Sequence, residues 1–209
     1  MRIKLYVEGG GDDNDALRTA CRKGFRTLIE KAGLAGCMPR IVACGSRTET
    51  FNKFRIAARS AAPDEFMCLL VDSEDPVADG TSPWAFLGAR QADQWEKPAG
   101  TPDENAHLMV QCMEAWFLAD PDAVERFFGR GFRRNALPNR ADVEKIPKDG
   151  VETALEGATR ACATKGQYHK GRHSFALLAT LDHGKVAASS PYAARLFETL
   201  RRKAQVTPA

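Results

Sequence analysis

Hydrophobic residues alternate at Ile3, Leu5 and Val7, the two-residue period of a strand. The next apolar and small positions, Leu17, Cys21, Phe25, Leu28, Ile29 and Ala32, recur every three or four residues. They predict a helix from Asp15 to Ala32, with Asp13 or Asn14 to cap its start and Gly33 to end it. "RIVACG" reads as a second strand and "SRTETFNKFRIAARSA" as a second helix, in which Ser46 and Glu49 stand at capping-box spacing. The unbroken apolar run from Phe66 to Val71 predicts a strand covered on both faces, as in a parallel sheet. Pro76 to Glu104 is richer in Pro, Gly and polar residues and reads as an excursion, with a helix in "PWAFLGARQADQWE". "HLMVQCMEAWFLAD" restores a fourth strand, and "DPDAVERFFG" a short helix with Asp120 as N-cap and Pro121 at its first position. Helical patterns follow in "GVETALEGATRACAT", "HSFALLATL" and "SPYAARLFETLRRKA". Strands alternating with helices predict an α/β fold: a mostly parallel sheet flanked by helices over 1–130, and a mainly helical part over 131–209 packed on it as one unit.

Composition adds boundaries rather than chemistry. A chain of 209 residues with 44% hydrophobic and 27% charged residues is long enough for one full core and has the balance of a globular protein. The net charge of +3 arises from 30 basic and 27 acidic residues, so attraction to nucleic acid has to come from local clustering. Six cysteines, with no Cys-x-x-Cys pair, are expected as buried free thiols in a reducing compartment. With neither a signal-peptide core nor a long apolar run, the protein is expected to be soluble and cytoplasmic, without a membrane.

Three acids change the picture. Glu8 directly follows the first predicted strand, and Asp72 and Glu74 directly follow the third. Ligands of open α/β sheets bind beyond the carboxyl ends of the strands, so these carboxylates converge if the two strands are neighbours. Carboxylates in one crevice repel unless protons or a cation neutralise them, and hard oxygen ligands suit Mg2+. Gly9, Gly10 and Gly11 would then let a polyanionic backbone approach closely. The alternative for the same residues is a tight turn whose acids cap helices or stay solvated. Glu114 is a candidate further ligand, or else an exposed acid early in a helix; Asp120 is expected as a helix cap. A dinucleotide-binding register from Gly9 would require glycine where Asn14 stands, and no Gly-Lys-Ser or Gly-Lys-Thr follows the loop.

Positive charge near a reacting phosphate has its best source in "TKGQYHKGRH", which carries Lys165, Lys170 and Arg172 beside Tyr168, His169 and His173. Lys170 is the candidate for the phosphate; a solvated basic loop is the alternative. His169 and His173 have the spacing of a zinc pair, but Gly171 between them and the lack of a third ligand argue against one. Arg18, Arg22 and Arg26 make one basic stripe on the first helix, either a track for a nucleic-acid backbone or its solvated face. In "GRGFRRN", Phe132 lies among Arg130, Arg133 and Arg134, a second patch where bases would stack on an exposed ring.

The Glu8 and triple-glycine loop together with Asp72-x-Glu74 resembles the TOPRIM domain of topoisomerases, primases and nucleases, with Glu74 where many relatives carry Asp. More extensively, "YVEGGGD", "MPRIVACG", "LLVDSEDP", "MEAWFLAD" and "YHKGRHSFALL" resemble a bacterial TOPRIM-like family of unknown function, linked to defence loci that also encode ATPases and related to the TOPRIM nucleases of the overcoming-lysogenization-defect type. The resemblance implies a TOPRIM/Rossmann-like sheet and a nuclease dependent on Mg2+ or Mn2+. Glu8 would be a general base or metal ligand, and Asp72 and Glu74 metal-binding acids. Joined to the residue readings above, the expected site has Glu8, Asp72, Glu74 and Lys170 in catalysis and Glu8, Asp72, Glu74 and Glu114 around the metal. Gly9, Gly10, Gly11, Arg18, Arg22, Lys165 and Arg172 are expected along DNA or RNA. The chain is expected to be too short for a topoisomerase or primase. The second reading is a catalytically silent binding or regulatory subunit of an ATPase-containing complex.

Overall fold

The computed structural model describes residues 1–205. Strand β1 (Arg2–Val7) lies between β2 (Arg40–Ala43) and β3 (Glu65–Asp72), and β4 (Ala106–Met109) pairs with the far side of β3. The order is β2-β1-β3-β4 and every pair is parallel. Parallel neighbours need crossovers, supplied by α1 (Asp15–Ile29), α2 (Arg47–Arg59) and α3 (Pro83–Ala89). Six further helices follow: α4 (Ala115–Ala119), α5 (Pro121–Phe128), α6 (Lys148–Thr159), α7 (Lys170–Leu178), α8 (His183–Ser189) and α9 (Pro191–Ala204).

The apolar periods explain the layers. Ile3, Leu5 and Val7 share one core with Phe66, Cys68 and Leu70, beneath α1 and the C-terminal helices. Tyr6, Met67, Leu69 and Val71 point the other way, onto Phe51, Phe54, Trp84 and Leu87 of α2 and α3. β3 is buried on both faces, which is why its apolar run is unbroken. Trp116 of α4 packs between Phe25 of α1 and Phe197 of α9, at 6.4 Å from each ring, so the C-terminal helices and the sheet share a continuous core. The chain leaves β1 toward β2 and returns to place β3 on the opposite side. This reversal opens a crevice at the carboxyl ends of β1 and β3.

Several local expectations need correction. α1 stops at Ile29 rather than Ala32 because Glu30–Leu34 forms a wide turn in which Gly33 takes φ +86°. Asn14 is the cap, its Oδ1 accepting from the Leu17 amide at 2.9 Å. Ser46 occupies the N-cap position of α2, but its side chain makes no capping bond. Its own amide donates to Asp12 Oδ1 at 2.8 Å, which ties the glycine loop to α2 instead of closing a capping box. The helix in the excursion ends at Ala89. α8 was not anticipated; it has one turn of polar sequence after Asp182, whose carboxylate accepts from the Gly184 and Lys185 amides. Asp120 caps α5 as expected, and its buried carboxylate also accepts from Lys185 and from the Asp182 amide. All six cysteines are free; five are buried, whereas Cys37 is half-buried. No helix among the described residues is long and apolar enough to cross a membrane.

A histidine in β4 is expected to set part of the acid limb of stability. His107 is fully buried, its Nε2 pairs with the Glu104 carbonyl at 3.0 Å, and Arg195 Nη1 faces its Nδ1 at 3.0 Å. Burial, reinforced by the Arg195 charge, lowers its pKa to about 3. In the unfolded chain it titrates near 6.5, so between these values the unfolded state binds the extra proton. The contribution is complete above pH ~6.5 and is lost as pH falls toward 3. His107→Gln should therefore flatten the fall of thermal midpoint between pH 6.5 and 4; an unchanged slope would refute the assignment.

Candidate functional site

The first strand's hydrogen bonding continues past its end. The Glu8 amide donates to Leu70 O at 3.0 Å, and Gly9 exchanges two backbone bonds with Gly45 at 2.8 and 3.0 Å. The glycine loop is thereby pinned beside β2. Gly9 and Gly10 have φ of +124° and +92°, which L side chains rarely adopt. A Cβ on Gly10 would lie 2.9 Å from the Arg18 Cα, and one on Gly9 3.0 Å from Phe175 Cζ. Gly9 and Gly10 make room for the chain's own α1 and α7. Gly24 acts similarly: its Cβ would sit 2.6 Å from Phe175 O, so α1 and α7 cross backbone to backbone, and α7 is brought toward the crevice.

Glu8, Asp72 and Glu74 converge. One carboxylate oxygen from each lies within 4.8 Å of the others. Each group also has an oxygen already held by the protein: Glu8 Oε2 accepts from the Asp72 amide at 3.1 Å, Asp72 Oδ1 from the Met113 amide at 2.8 Å, and Glu74 Oε2 from Lys148 Nζ. The second oxygen of each has no donor among the described residues. Glu74 has φ +66°, a left-handed conformation that costs a non-glycine residue roughly 1–2 kcal/mol. Its amide donates to Gln111 O at 2.8 Å. Such a conformation persists where the surrounding structure holds it, here at a residue whose side chain completes the cluster.

Charge is balanced unevenly here. Burial pushes Asp72 well above the usual carboxylate range, Glu8 and Glu114 push it further, and Lys170 opposes them. Burial also raises Glu8, although Arg47 and the Asp72 amide hold it down. For Lys170, burial disfavours the ammonium, but Glu114 and Asp72 outweigh it and the pKa is raised. Lys148 follows the same pattern, with its bond to Glu74 outweighing burial.

Glu114 is buried, which corrects the expectation of an exposed acid. It lies outside the three-carboxylate cluster and receives Ser174 Oγ at 3.2 Å, Tyr168 OH at 3.4 Å and Lys170 Nζ at 3.3 Å. Lys170, at the start of α7, thus pairs with Glu114. The other predicted contacts are dispersed. Arg18 donates to Gly11 O at 3.2 Å and approaches Asp15, latching the loop. Arg22 bonds Thr19, Lys165 lies over the Phe127 ring at 4.3 Å, and Arg172 is exposed. His173 is buried with Nδ1 accepting from the His169 amide, so the two histidines form a local turn. Phe132 packs against the core rather than offering an open ring.

Arg47, Lys148 and Ser174 escaped the sequence reading. Arg47 donates from Nη1 to Glu8 Oε2 at 3.4 Å and to the Asp72 carbonyl, and from Nε and Nη2 to Asp93 at 2.9 and 2.7 Å. Burial works against the Asp93 carboxylate, yet Arg47 and Arg90 outweigh it and lower its pKa. One guanidinium therefore docks the excursion onto the ends of β1 and β3. Its position as the first residue of the helix after β2 was the available signal, because that residue must lie at the same sheet edge.

No curated protein and no solved structure matches the chain. A family model described as "Domain of unknown function (DUF4276)" matches residues 7–201, a span that takes in every residue of the carboxylate cluster and its cations. The chain belongs to the DUF4276 family.

Proposed function

We propose that the protein is a metal-dependent, TOPRIM-like nuclease that hydrolyses phosphodiester bonds of DNA or RNA. The observation that carries this reading is the cluster of Glu8, Asp72 and Glu74, three hard oxygen ligands within 4.8 Å, each with an oxygen left over from the protein's own hydrogen bonds. That donor set fits Mg2+ or Mn2+. Bound there, the cation would polarise the phosphoryl group and offset the charge of the reacting centre.

The chain's own groups divide the remaining work. With the cation held by Asp72 and Glu74, Glu8, raised by burial, accepts at its unengaged oxygen the proton of the water that attacks phosphorus. Arg47 and the Asp72 amide fix the other oxygen and so the direction of that base. Lys170 holds its proton firmly and presents positive charge toward phosphate oxygens as the bond to the leaving oxygen breaks. Purified protein with Mg2+ or Mn2+ should cut DNA or RNA, and Glu8→Gln should lower the rate by at least ~10²-fold, the usual contribution of a positioned base. Undiminished cleavage by Glu8→Gln would remove Glu8 from the reaction.

A specific observation favours a second reading. Lys148 neutralises Glu74 within the cluster, and Lys170 pairs with Glu114 beside it, as in a silent subunit of an ATPase-containing complex. Calorimetry separates the two: such a subunit takes up neither Mg2+ nor Mn2+ at millimolar concentration.

A further inference from the structure

A basic groove runs along α2. It holds about 630 Å³ between α2 and the 94–99 segment. Thr48, Asn52, Arg55 and Arg59 line one wall. Their spacing of four, three and four residues puts them on a single helix face. Arg47, one residue before Thr48, is bonded to Glu8 and covers the Trp95 ring, so it links the near end of the groove to the cluster. From Arg47 the helix carries Arg55 about 12 Å and Arg59 about 18 Å outward.

The lining has unspent positive charge. Arg55 and Arg59 have no carboxylate partner among the described residues, and the Arg55 Nε is shielded from solvent with no hydrogen-bond partner there. Arg55 is aimed by Asn52, which accepts from Nη2 at 3.3 Å, and by the Phe51 ring 5.7 Å away. Lys97 is spent on Asp103 at 2.6 Å, and Glu96 is the one acid in the lining. Trp95 forms the opposite wall but offers no stacking face. Phe51 lies parallel to it at 4.3 Å, and Arg47 covers the ring at 4.8 Å. Such a groove recognises phosphates and leaves bases unread. Its volume is that of a drug-sized ligand site, which suits a few nucleotides of one strand and not a duplex. Arg55 and Arg59 lie ~6 Å apart along the helix, close enough to hold neighbouring phosphates of one strand.

We propose that this groove holds the phosphate backbone of a single nucleic-acid strand running outward from the carboxylate cluster, with Arg55 and Arg59 as its phosphate contacts. The proposal rests on the nuclease reading for its substrate class, and its test separates the two. Anisotropy of a fluorescein-labelled oligothymidylate of about 20 nucleotides, long enough to cover a typical single-strand site, is titrated with full-length protein in EDTA at several salt concentrations. Each phosphate contact contributes about −0.7 to the slope of log K against log salt for single strands. Arg55→Gln/Arg59→Gln should make the slope shallower by about 1.4 and weaken binding. Arg59→Gln alone, at an exposed position, should account for about 0.7 of this, which keeps the result independent of packing around Arg55.

A wild-type protein that cleaves, while both variants retain its slope and affinity, overturns the groove alone. Variants that show the slope change, with a wild-type protein that cuts nothing with Mg2+ or Mn2+, support the groove and overturn the reaction. Absence of oligothymidylate binding, with an oligouridylate of equal length also unbound, overturns the groove. Tighter binding of polyglutamate than of either oligonucleotide, lost in Arg59→Gln, would reassign the groove to an acidic protein segment.

Discussion

Asp72→Asn is expected to lower cleavage by ~10²–10³-fold, the scale on which charge-stabilising groups act at a transition state, and yet to stabilise the cation-free protein. Asparagine preserves shape and leaves an acceptor for the Met113 amide, but it removes the negative charge that the cluster needs to hold a divalent cation. The sign of the stability change follows from the raised pKa of Asp72, caused first by burial and then by Glu8 and Glu114. Unfolded Asp titrates near 3.9. Above that pH the unfolded chain sheds the proton more readily than the folded one, so stability falls as pH rises through the folded pKa. Asparagine does not ionise and escapes this loss. In EDTA, wild type and Asp72→Asn should melt together near pH 3.5 and diverge toward pH 8, where the variant melts higher. With millimolar Mg2+ the wild type gains thermal stability through ligand linkage and the variant does not. A variant that melts lower than wild type at pH 8 in EDTA would show that Asp72 is held by favourable contacts and not under charge stress.

Trp116→Ala is expected to lose about 3–5 kcal/mol, the range for deleting a large buried aromatic ring. That is a large share of the 5–15 kcal/mol typical of a domain. The ring is fully buried and bridges Phe25 in α1 to Phe197 in α9, so its loss opens a cavity where the sheet layer and the C-terminal helices meet. Trp116 Nε1 is also buried without a hydrogen-bond partner. Phenylalanine would remove that orphaned donor, and Trp116→Phe should therefore cost clearly less than alanine. Urea unfolding of the three proteins measures both differences; a Trp116→Ala loss within ~1 kcal/mol of wild type would mean that the site collapses without a cavity. Glu114 precedes α4 by one residue, so the same substitution should loosen the Glu114–Lys170 contact.

Much of the architecture was legible because local periodicity and burial agree. The continuous run in β3 followed from cover on both of its faces, and the alternation in β1 from the two-residue period of a strand. Glu8, Asp72 and Glu74 were legible for a related reason: each lies at or just beyond the carboxyl end of a strand, and an open parallel sheet binds ligands there. Ser46 and Phe132 misled because their spacing was sound while their partners were tertiary: Ser46 meets Asp12 across a loop, and Phe132 turns into the core. Lys148 was missed because nothing within a few residues of it distinguishes a charged helix start that faces solvent from one that faces the cluster, and for Arg47 the only signal was its place at the start of the helix after β2.

The sequence by itself determined the strand and helix periods, the parallel class of the sheet and the acids at the ends of its central strands. These depend on side-chain spacing within a few residues. Tertiary structure alone decided which charges meet. Strand order made β1 and β3 neighbours, the Gly24 crossing brought α7 and Lys170 in, and the Asp93 contact drew the excursion onto Arg47. Those outcomes depend on residues tens of positions apart arriving within a few ångströms, where burial sets protonation and desolvation sets the strength of each pair.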